Sequence, residues 1–267
     1  MMPLFRRDFR IQVISLVGIC LGSFGFVWLY ISIYPLLHQH AQSYIGIINS
    51  FPKGLSQAFG IDSMFLANEQ SYLSGEMYSF IWPLLAIMLV ISRTGKLVSG
   101  EKDKGTLGFL ITQPLPRYKI YLAKYFVSCA AVALFIVASI VACIPLSKLY
   151  KIEFTISHFF IFSAIGFLFS ISILSLSFMV SVITDSKEKF YGITASILML
   201  MYGAFIASGS VNSLSWMKFG SFFYYLNANS ALSYGNITKI SLLVFGISSF
   251  VFAGIGLITF KRKDLYI

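Results

Sequence analysis

Charge is scarce in this sequence: Asp, Glu, Lys and Arg together make up 11% of its 267 residues. Soluble domains carry about 25% charged residues, so this chain has too few charges to cover a surface exposed to water. Apolar residues reach 57%, and the mean hydropathy is +0.81. The composition therefore excludes an ordinary soluble protein and makes lipid the main solvent of the chain.

Cysteine and histidine are also rare, which bears on metal sites. The three cysteines, Cys20, Cys129 and Cys143, all fall inside apolar runs and show no metal-ligand spacing. Thiols in that setting usually act as small buried hydrophobes. His38 and His40 form a pair without a third nearby ligand, so we expect them to be solvated. The sequence predicts neither a metal site nor a cofactor held by this chain.

Ionisable residues are missing from the middle of every apolar run. Charged groups deep in a bilayer are costly, and they mark proton relays and ion-coupling sites where they occur. Their absence argues against a proton-coupled carrier, a channel or an intramembrane protease. A phosphate-binding loop is missing too, because Gly100-x4-Gly105-Thr106 lacks the required Lys. We therefore expect a non-enzymatic protein whose energy, for any uphill transport, comes from another polypeptide.

What the sequence does have is six apolar segments. A membrane-spanning helix needs about 20 mostly apolar residues. The first run is too long for the core of a signal peptide and has no small-residue cleavage site after it. We predict an all-α integral membrane protein with one transmembrane domain over residues 1–267, and the second span is expected to extend beyond its last apolar residue. The predicted spans are Ile11–Leu37, Met77–Ser92, Tyr118–Ser147, Ile156–Ile183, Tyr191–Ser210 and Ile240–Phe260.

The distribution of basic residues predicts the orientation. With six spans, fifteen of the 20 Lys and Arg residues fall on the side of the two termini and five on the other side. Basic residues collect on the cytoplasmic side of a membrane protein. We therefore expect both termini in the cytoplasm, in a plasma membrane of bacterial type, and we interpret the net charge of +10 as a topology signal and an attraction to lipid headgroups, with no nucleic-acid partner.

One cytoplasmic segment, Arg93–Lys124, differs from the rest of the chain. Alternating charges over Glu101–Lys104 end at Gly105, and Thr106 is suited to cap a short helix. Leu107, Leu110 and Ile111 follow on one face of that helix, and Pro114 stops it. An apolar face at the membrane surface has two explanations of equal weight: the helix lies in the headgroups, or it docks in a groove of a cytoplasmic partner.

The same residues carry a resemblance to a known family. The run Ser99–Leu110, then Pro114–Arg117, then Lys124, resembles the signature of ABC-2 type permeases, and it lies between spans 2 and 3 as in that family. The resemblance implies that Glu101–Gln113 contains the coupling helix that docks in a separate ABC ATPase, which holds the ATP and Mg²⁺. The residues expected to dock are Glu101, Lys104, Gly105, Thr106, Leu107, Leu110, Ile111, Pro114 and Arg117.

Two further elements are implied by the resemblance. Phe5–Arg10 resembles the short amphipathic element before the first span, with Phe5, Arg6, Arg7 and Arg10 at the cytoplasmic surface. Leu214–Leu226 resembles the outer re-entrant segment between spans 5 and 6. An aromatic belt at the membrane surface explains the same residues and is compatible with it; its members are Trp216, Phe219, Phe222, Phe223, Tyr224 and Tyr225. The outer loop 37–76 is expected to form short amphipathic pieces.

The functional expectation follows from the resemblance. It implies the transmembrane permease subunit of an ABC exporter, paired with a second permease copy or a homologue, whose separate ATPase supplies the energy. An uncharged path rich in Phe, Ser, Tyr and Met suits an amphipathic or hydrophobic substrate, such as a peptide or an antimicrobial compound. The alternative is a membrane anchor or sensor that docks a different cytoplasmic partner through the same segment.

Overall fold

The structure is a helical bundle with six helices of membrane-spanning length and hydropathy. The computed structural model describes residues 2–39, 50–59, 72–106, 115–150 and 155–262, and these residues form helices and no β-strand. The predicted all-α class and the six spans are thus confirmed, with most boundaries within about one helical turn of those expected. The helices, called spans 1 to 6 below, are Met2–Gln39, Met77–Asp103, Arg117–Tyr150, Ile156–Ile183, Lys187–Ser210 and Lys239–Arg262.

Span 2 is longer than its apolar run. The helix predicted to end at Ser92 continues through a π-helical stretch, Gly95–Ser99, to Asp103. Leu97 and Val98 are buried in this extension. The buried apolar face of span 2 therefore continues after Ser92, where the apolar run of the sequence ends. Arg93, which we predicted in the cytoplasmic loop, therefore lies inside the helix with 1% of its surface exposed.

Spans 2, 3 and 4 form the buried centre of the bundle. Between 53% and 61% of their apolar windows are buried, against 11% to 22% in spans 1, 5 and 6. Trp82 fills a notch at Gly166, where an added Cβ would come within 2.6 Å of the indole ring. Its Nε1 donates to Ser139 Oγ at 3.2 Å, and Ser139 Oγ lies 3.1 Å from Ser23 Oγ. Ring packing and paired hydroxyls therefore join spans 1 to 4 in the membrane interior.

Short helices lie in the described parts of two connections at the end of the bundle opposite the N-terminus. In the loop 37–76, of which 40–49 and 60–71 (with His40) lie outside the described residues, the helix Lys53–Phe59 rests on span 5, with Gly54 against Ile206 and Ser210. Spans 5 and 6 are joined by a 3₁₀ helix and two short α-helices, called the 212–234 segment below: Asn212–Gly220, Phe222–Leu226 and Ala228–Tyr234.

The N-terminus differs from the expectation. Phe5–Arg10, expected as a separate surface element before the first span, forms the first turns of one uninterrupted helix that begins at Met2. No Pro or Gly interrupts the sequence between Leu4 and Val17, so nothing in it breaks the helix. Span 1 therefore carries its charged first turns directly to the end of the bundle.

Candidate coupling site

Four charges from three spans form a closed ring at one end of the bundle. Arg7 Nη2 lies 2.7 Å from Asp8 Oδ1 and 2.8 Å from Glu101 Oε1. Lys124 Nζ lies 3.3 Å from Asp8 Oδ2 and 2.7 Å from Glu101 Oε2. Each cation contacts both carboxylates, so positive and negative groups alternate around the ring. The ring joins the first turns of spans 1 and 3 to the last turn of span 2.

The ring is buried on the side of the bundle interior. The side chains of Asp8 and Lys124 are 0% and 1% exposed, that of Glu101 is 15% exposed, and that of Arg7 is 43% exposed. Buried charges are tolerated when each is paired and hydrogen-bonded, and ionisable residues within membrane helices face the bundle interior and pair with one another. Glu101, predicted as a docking residue, thus has its carboxylate bound within the chain.

Lys102 binds the end of span 4. Its Nζ donates to three backbone carbonyls, those of Ser181 at 2.7 Å, Val182 at 2.9 Å and Thr184 at 2.9 Å. The last carbonyls of a helix have no partner within the helix, and a Lys there satisfies them and complements the helix dipole. Ser99 Oγ, one turn earlier, lies 2.6 Å from Ser181 Oγ. The end of span 2 is therefore joined to the end of span 4.

Asp103 binds the beginning of span 5. Its Oδ2 accepts a hydrogen bond from the backbone N–H of Lys187, the first residue of that span, at 3.1 Å. A carboxylate at this position compensates an unpaired N–H and the positive end of the helix dipole. Successive residues point about 100° apart around a helix. Glu101, Lys102 and Asp103 consequently reach three different neighbours.

The residues after Asp103 lie on the surface. Gly105 adopts φ +66°, a left-handed conformation that favours glycine at a helix end, and its N–H bonds to Lys102 O at 2.9 Å. Thr106, expected to cap a following helix, donates its hydroxyl to Glu101 O at 3.3 Å. Lys104, Gly105 and Thr106 are exposed. The other docking residues predicted here, Leu107, Leu110, Ile111 and Pro114, lie outside the described residues.

The remaining predicted basic residues are spread along the same end of the bundle. Arg117 Nη1 donates to the carbonyl of Lys261 at 3.4 Å, and Lys261 Nζ lies 5.4 Å from the centre of the Tyr118 ring. This pair connects the beginning of span 3 to the end of span 6. Arg10 is exposed. We call this whole region the motif end, defined by residues 7–10, 99–106, 117–124, 181–190 and 260–262.

Sequence reasoning missed four of the residues that build this site. Asp8, Lys102, Asp103 and Lys124 were not named among the docking residues, although Lys102 and Asp103 lie in the predicted coupling segment and Lys124 is part of the family signature. One signal was available: a Lys and an Asp near the ends of predicted spans are costly to bury unless they pair. The spacing of these residues in the sequence does not show which residues their side chains contact or which way they point. The ring therefore becomes visible only in the structure.

The 212–234 segment at the opposite end divides the predicted aromatic group in two. Trp216 and Phe219 are 66% and 60% exposed, whereas Phe222, Phe223 and Tyr225 are buried. The Tyr225 hydroxyl donates to Phe219 O at 3.2 Å. Burial, with a smaller effect of neighbouring Tyr224, raises the pKa of Tyr225, which keeps this donor protonated. The re-entrant geometry expected for this segment stays a prediction.

Ring contacts and one half-buried cation complete the description of that segment. Phe223 contacts Tyr202 of span 5 and Phe169 of span 4, with ring centres 5.0 Å and 5.8 Å apart. Lys218 Nζ lies 5.2 Å from the centre of the Phe219 ring and 5.3 Å from that of Tyr224. We call the end of the bundle that contains the 212–234 segment the aromatic end.

The contacts of the motif end link helix ends to one another. Within the described part of the chain, no three His, Cys, Asp or Glu side chains lie close enough together to hold a metal ion. The ring and the two helix-end contacts instead connect one short surface-exposed turn to spans 1, 3, 4 and 5. Such an arrangement can carry a displacement of the turn into the membrane helices.

Comparison with known proteins identifies the family of the chain. The family model described as "ABC-2 family transporter protein" matches residues 2–265, nearly the whole chain. No curated protein matches the chain. The six spans, the motif between spans 2 and 3 and the family match lead to one conclusion: the chain belongs to the ABC-2 transporter family and is a multi-pass permease subunit of an ABC transporter.

Proposed function

We propose that this permease is the membrane half of an ABC exporter and that its motif end faces the cytoplasm. A separate ABC ATPase subunit docks on the segment that begins at the exposed turn Lys104–Thr106 and continues through Leu107, Leu110 and Ile111. The family match over residues 2–265 carries the proposal. The position of the exposed turn between spans 2 and 3, and its ties to the bundle through Glu101, support it.

ATP and Mg²⁺ belong to the ATPase in this proposal. Closure of two ATPase subunits on nucleotide presses on the docked segment, and the charge ring passes the displacement to spans 1 and 3. Paired buried charges resist separation, because an uncompensated charge in a low-dielectric interior is strongly destabilising. The ring therefore makes the ends of three spans move as one body. This is the two-state mechanical element on which alternating access depends.

A second permease subunit completes the transporter. Spans 1, 5 and 6 expose large apolar side chains along most of their length, among them Ile14, Leu200 and Phe250. Lipid covers part of this surface, and the second permease, a copy of this chain or a homologue, covers the rest. The substrate moves along the seam between the two permeases.

An amphipathic or hydrophobic substrate, such as a peptide or an antimicrobial compound, suits the character of the spans. The exposed faces of spans 1, 5 and 6 carry many aromatic and aliphatic side chains, and Arg93 of span 2 is buried in the bundle. A bare ion would find no charged group to replace its hydration shell along such a surface. The substrate class is therefore apolar or amphipathic.

The docking proposal is tested by association with the ATPase. The full chain is expressed with the ABC ATPase of the same cells, reconstituted in lipid nanodiscs and purified through a tag on the permease. The double variant Leu107→Asp, Leu110→Asp should lose most of the bound ATPase, because two carboxylates replace the apolar face that fills the groove. Leu107→Met, Leu110→Met keeps that face and should retain it.

Two results would contradict the proposal. Equal ATPase recovery with the Asp and Met variants would remove the docking role from this segment. Recovery of a protein other than an ABC ATPase, lost with the Asp variant alone, would instead support the anchor or sensor function, which the apolar face of the segment also fits. Correct folding of each variant is checked by its yield in nanodiscs and its helical circular dichroism.

A further inference from the structure

We propose that Lys102 and Asp103 are the positioning residues through which movement of the docked segment reaches spans 4 and 5. The inference rests on the proposed function, since it needs a partner that moves the segment. It differs from the docking role that the resemblance implies for Glu101–Gln113, because both side chains contact the chain itself: Lys102 is half-buried and Asp103 lies at the surface.

The two side chains bind the two sides of one short turn. Span 4 ends at Ile183 and span 5 begins at Lys187, so residues 184–186 connect them. Lys102 holds the carbonyls before and within this turn, and Asp103 holds the N–H that follows it. Because adjacent residues of span 2 bind both helix ends, the turn follows any displacement of residues 102 and 103.

Charge complementarity makes both contacts directional. A carbonyl-bearing helix end is partially negative and prefers a cation, whereas an N–H-bearing helix end is partially positive and prefers an anion. Lys102 places its cation at the carbonyl end of span 4, and Asp103 places its anion at the N–H end of span 5. Both charges therefore match the helix ends that they contact. Exchange of the two residues would place each charge against a helix end of its own sign.

Span 5 is the span best placed to respond. Three of its residues, Phe190, Thr194 and Leu198, are buried, and they lie on one face at intervals of four in its first half. Span 4 has sixteen buried residues and belongs to the bundle centre. A second contact reaches span 5 from the same direction, because the Tyr191 hydroxyl rests on Gly95 of span 2. A loosely packed helix held at its beginning by span 2 moves more easily than a helix buried in the core.

Amide hydrogen exchange of the nanodisc-embedded permease–ATPase complex tests this proposal. Exchange is compared between the nucleotide-free complex and the complex trapped with ATP, Mg²⁺ and vanadate, in peptides covering residues 99–106 and 181–195. In the wild-type chain, nucleotide should change exchange in both regions. In Lys102→Met and Asp103→Ala, the change at 99–106 should persist, and most of the change at 181–195 should be lost, while ATPase binding and its basal hydrolysis remain.

Three further variants serve as controls. Lys102→Arg keeps a cationic donor and Asp103→Asn keeps an acceptor for the Lys187 N–H, so both should retain most of the response at 181–195. Lys189→Met removes a positive charge from the same corner of the bundle at an exposed side chain, and it should behave as wild type. Together these controls show whether a lost response at 181–195 comes from the contacts of Lys102 and Asp103 or from any change of charge at this end of the bundle.

Each outcome decides one of the two proposals. If Lys102→Met and Asp103→Ala keep the wild-type response at 181–195, or lose it together with the response at 99–106, the positioning role is wrong and the docking role stands. If no ABC ATPase binds the wild-type chain, the proposed function fails and this inference fails with it. If Asp103→Asn loses as much as Asp103→Ala, the hydrogen bond to the Lys187 N–H does not carry the movement to span 5, and the part of the proposal that rests on that bond is wrong.

Discussion

The two ends of this bundle are held together by different kinds of contact. At the motif end, Arg7, Asp8, Glu101 and Lys124 form a closed ring of ion pairs. At the aromatic end, described contacts between the 212–234 segment and the spans include ring packing, such as that of Phe223 on Tyr202. Both ends bury large side chains, but among the residues that the structure describes the buried ion pairs lie at the motif end.

This difference has mechanical consequences. Ion pairs in a low-dielectric interior are costly to separate, so the motif end favours one arrangement of the helix ends. Aromatic pairs tolerate a range of offset and edge-to-face geometries at similar energy, so the aromatic end can repack with little cost. Under the proposed function, the motif end receives force from the ATPase, and a stiff motif end with an adaptable aromatic end suits that role.

Loss of one ring member should give the largest effect on stability. Lys124→Met leaves the buried carboxylates of Asp8 and Glu101 with Arg7 as their one remaining partner in the ring. Removal of one partner from a buried ion pair costs about 3–5 kcal/mol. We expect a loss of this size in the free energy of unfolding, measured by denaturant titration in mixed micelles.

The double variant Lys124→Met, Asp8→Asn is the matched control. It removes one charge of each sign and leaves Arg7 paired with Glu101, which is 2.8 Å away. Its stability should lie closer to wild type than that of Lys124→Met alone. If the single and double variants are equally unstable, or if the single variant costs less than a typical exposed pair, about 1 kcal/mol, the stiffness of the motif end does not come from the ring.

A packing change in the bundle centre should have a smaller effect. Gly166→Ala places a methyl group within 2.6 Å of the Trp82 ring, and overpacking of a well-filled core costs about 1–3 kcal/mol. Gly246→Ala is the control, because nothing lies within 4 Å of its added Cβ. The same titration should show destabilisation for Gly166→Ala and none for Gly246→Ala. Equal stability of the two variants would mean that the Trp82 notch is not tightly packed.

The fold was largely predictable from the sequence, because span length and hydropathy are set by the bilayer. All six spans were predicted from their apolar runs. Span 2 was expected to extend beyond Ser92, but hydropathy could not show how far, because Arg93 and Lys96 interrupt it although Leu97 and Val98 continue its buried face. A hydropathy profile lowers its value at a charged residue such as Arg93, but it does not show whether the side chain points into the bundle or away from it.

The candidate site was predictable only in position. The motif placed functional residues between spans 2 and 3, and the structure places a dense set of polar contacts there. The partners could not be predicted, since Asp8, Glu101 and Lys124 are far apart in sequence and meet only through the packing of three helices. Backbone partners, such as the carbonyls that Lys102 binds, carry no signal in residue identity at all.

The smallest expected effect compares the same substitution at both ends. Lys218→Met at the aromatic end removes a cation that rests on the rings of Phe219 and Tyr224. Exposed cation–π contacts contribute about 0.5–1 kcal/mol, and Phe219 is 60% exposed. The loss should therefore be several-fold smaller than for Lys124→Met, which deletes the same charge from a side chain that is 1% exposed. If the two Lys→Met variants are destabilised equally, burial of charge does not distinguish the two ends, and the aromatic end is as dependent on its cation as the motif end is on its ring.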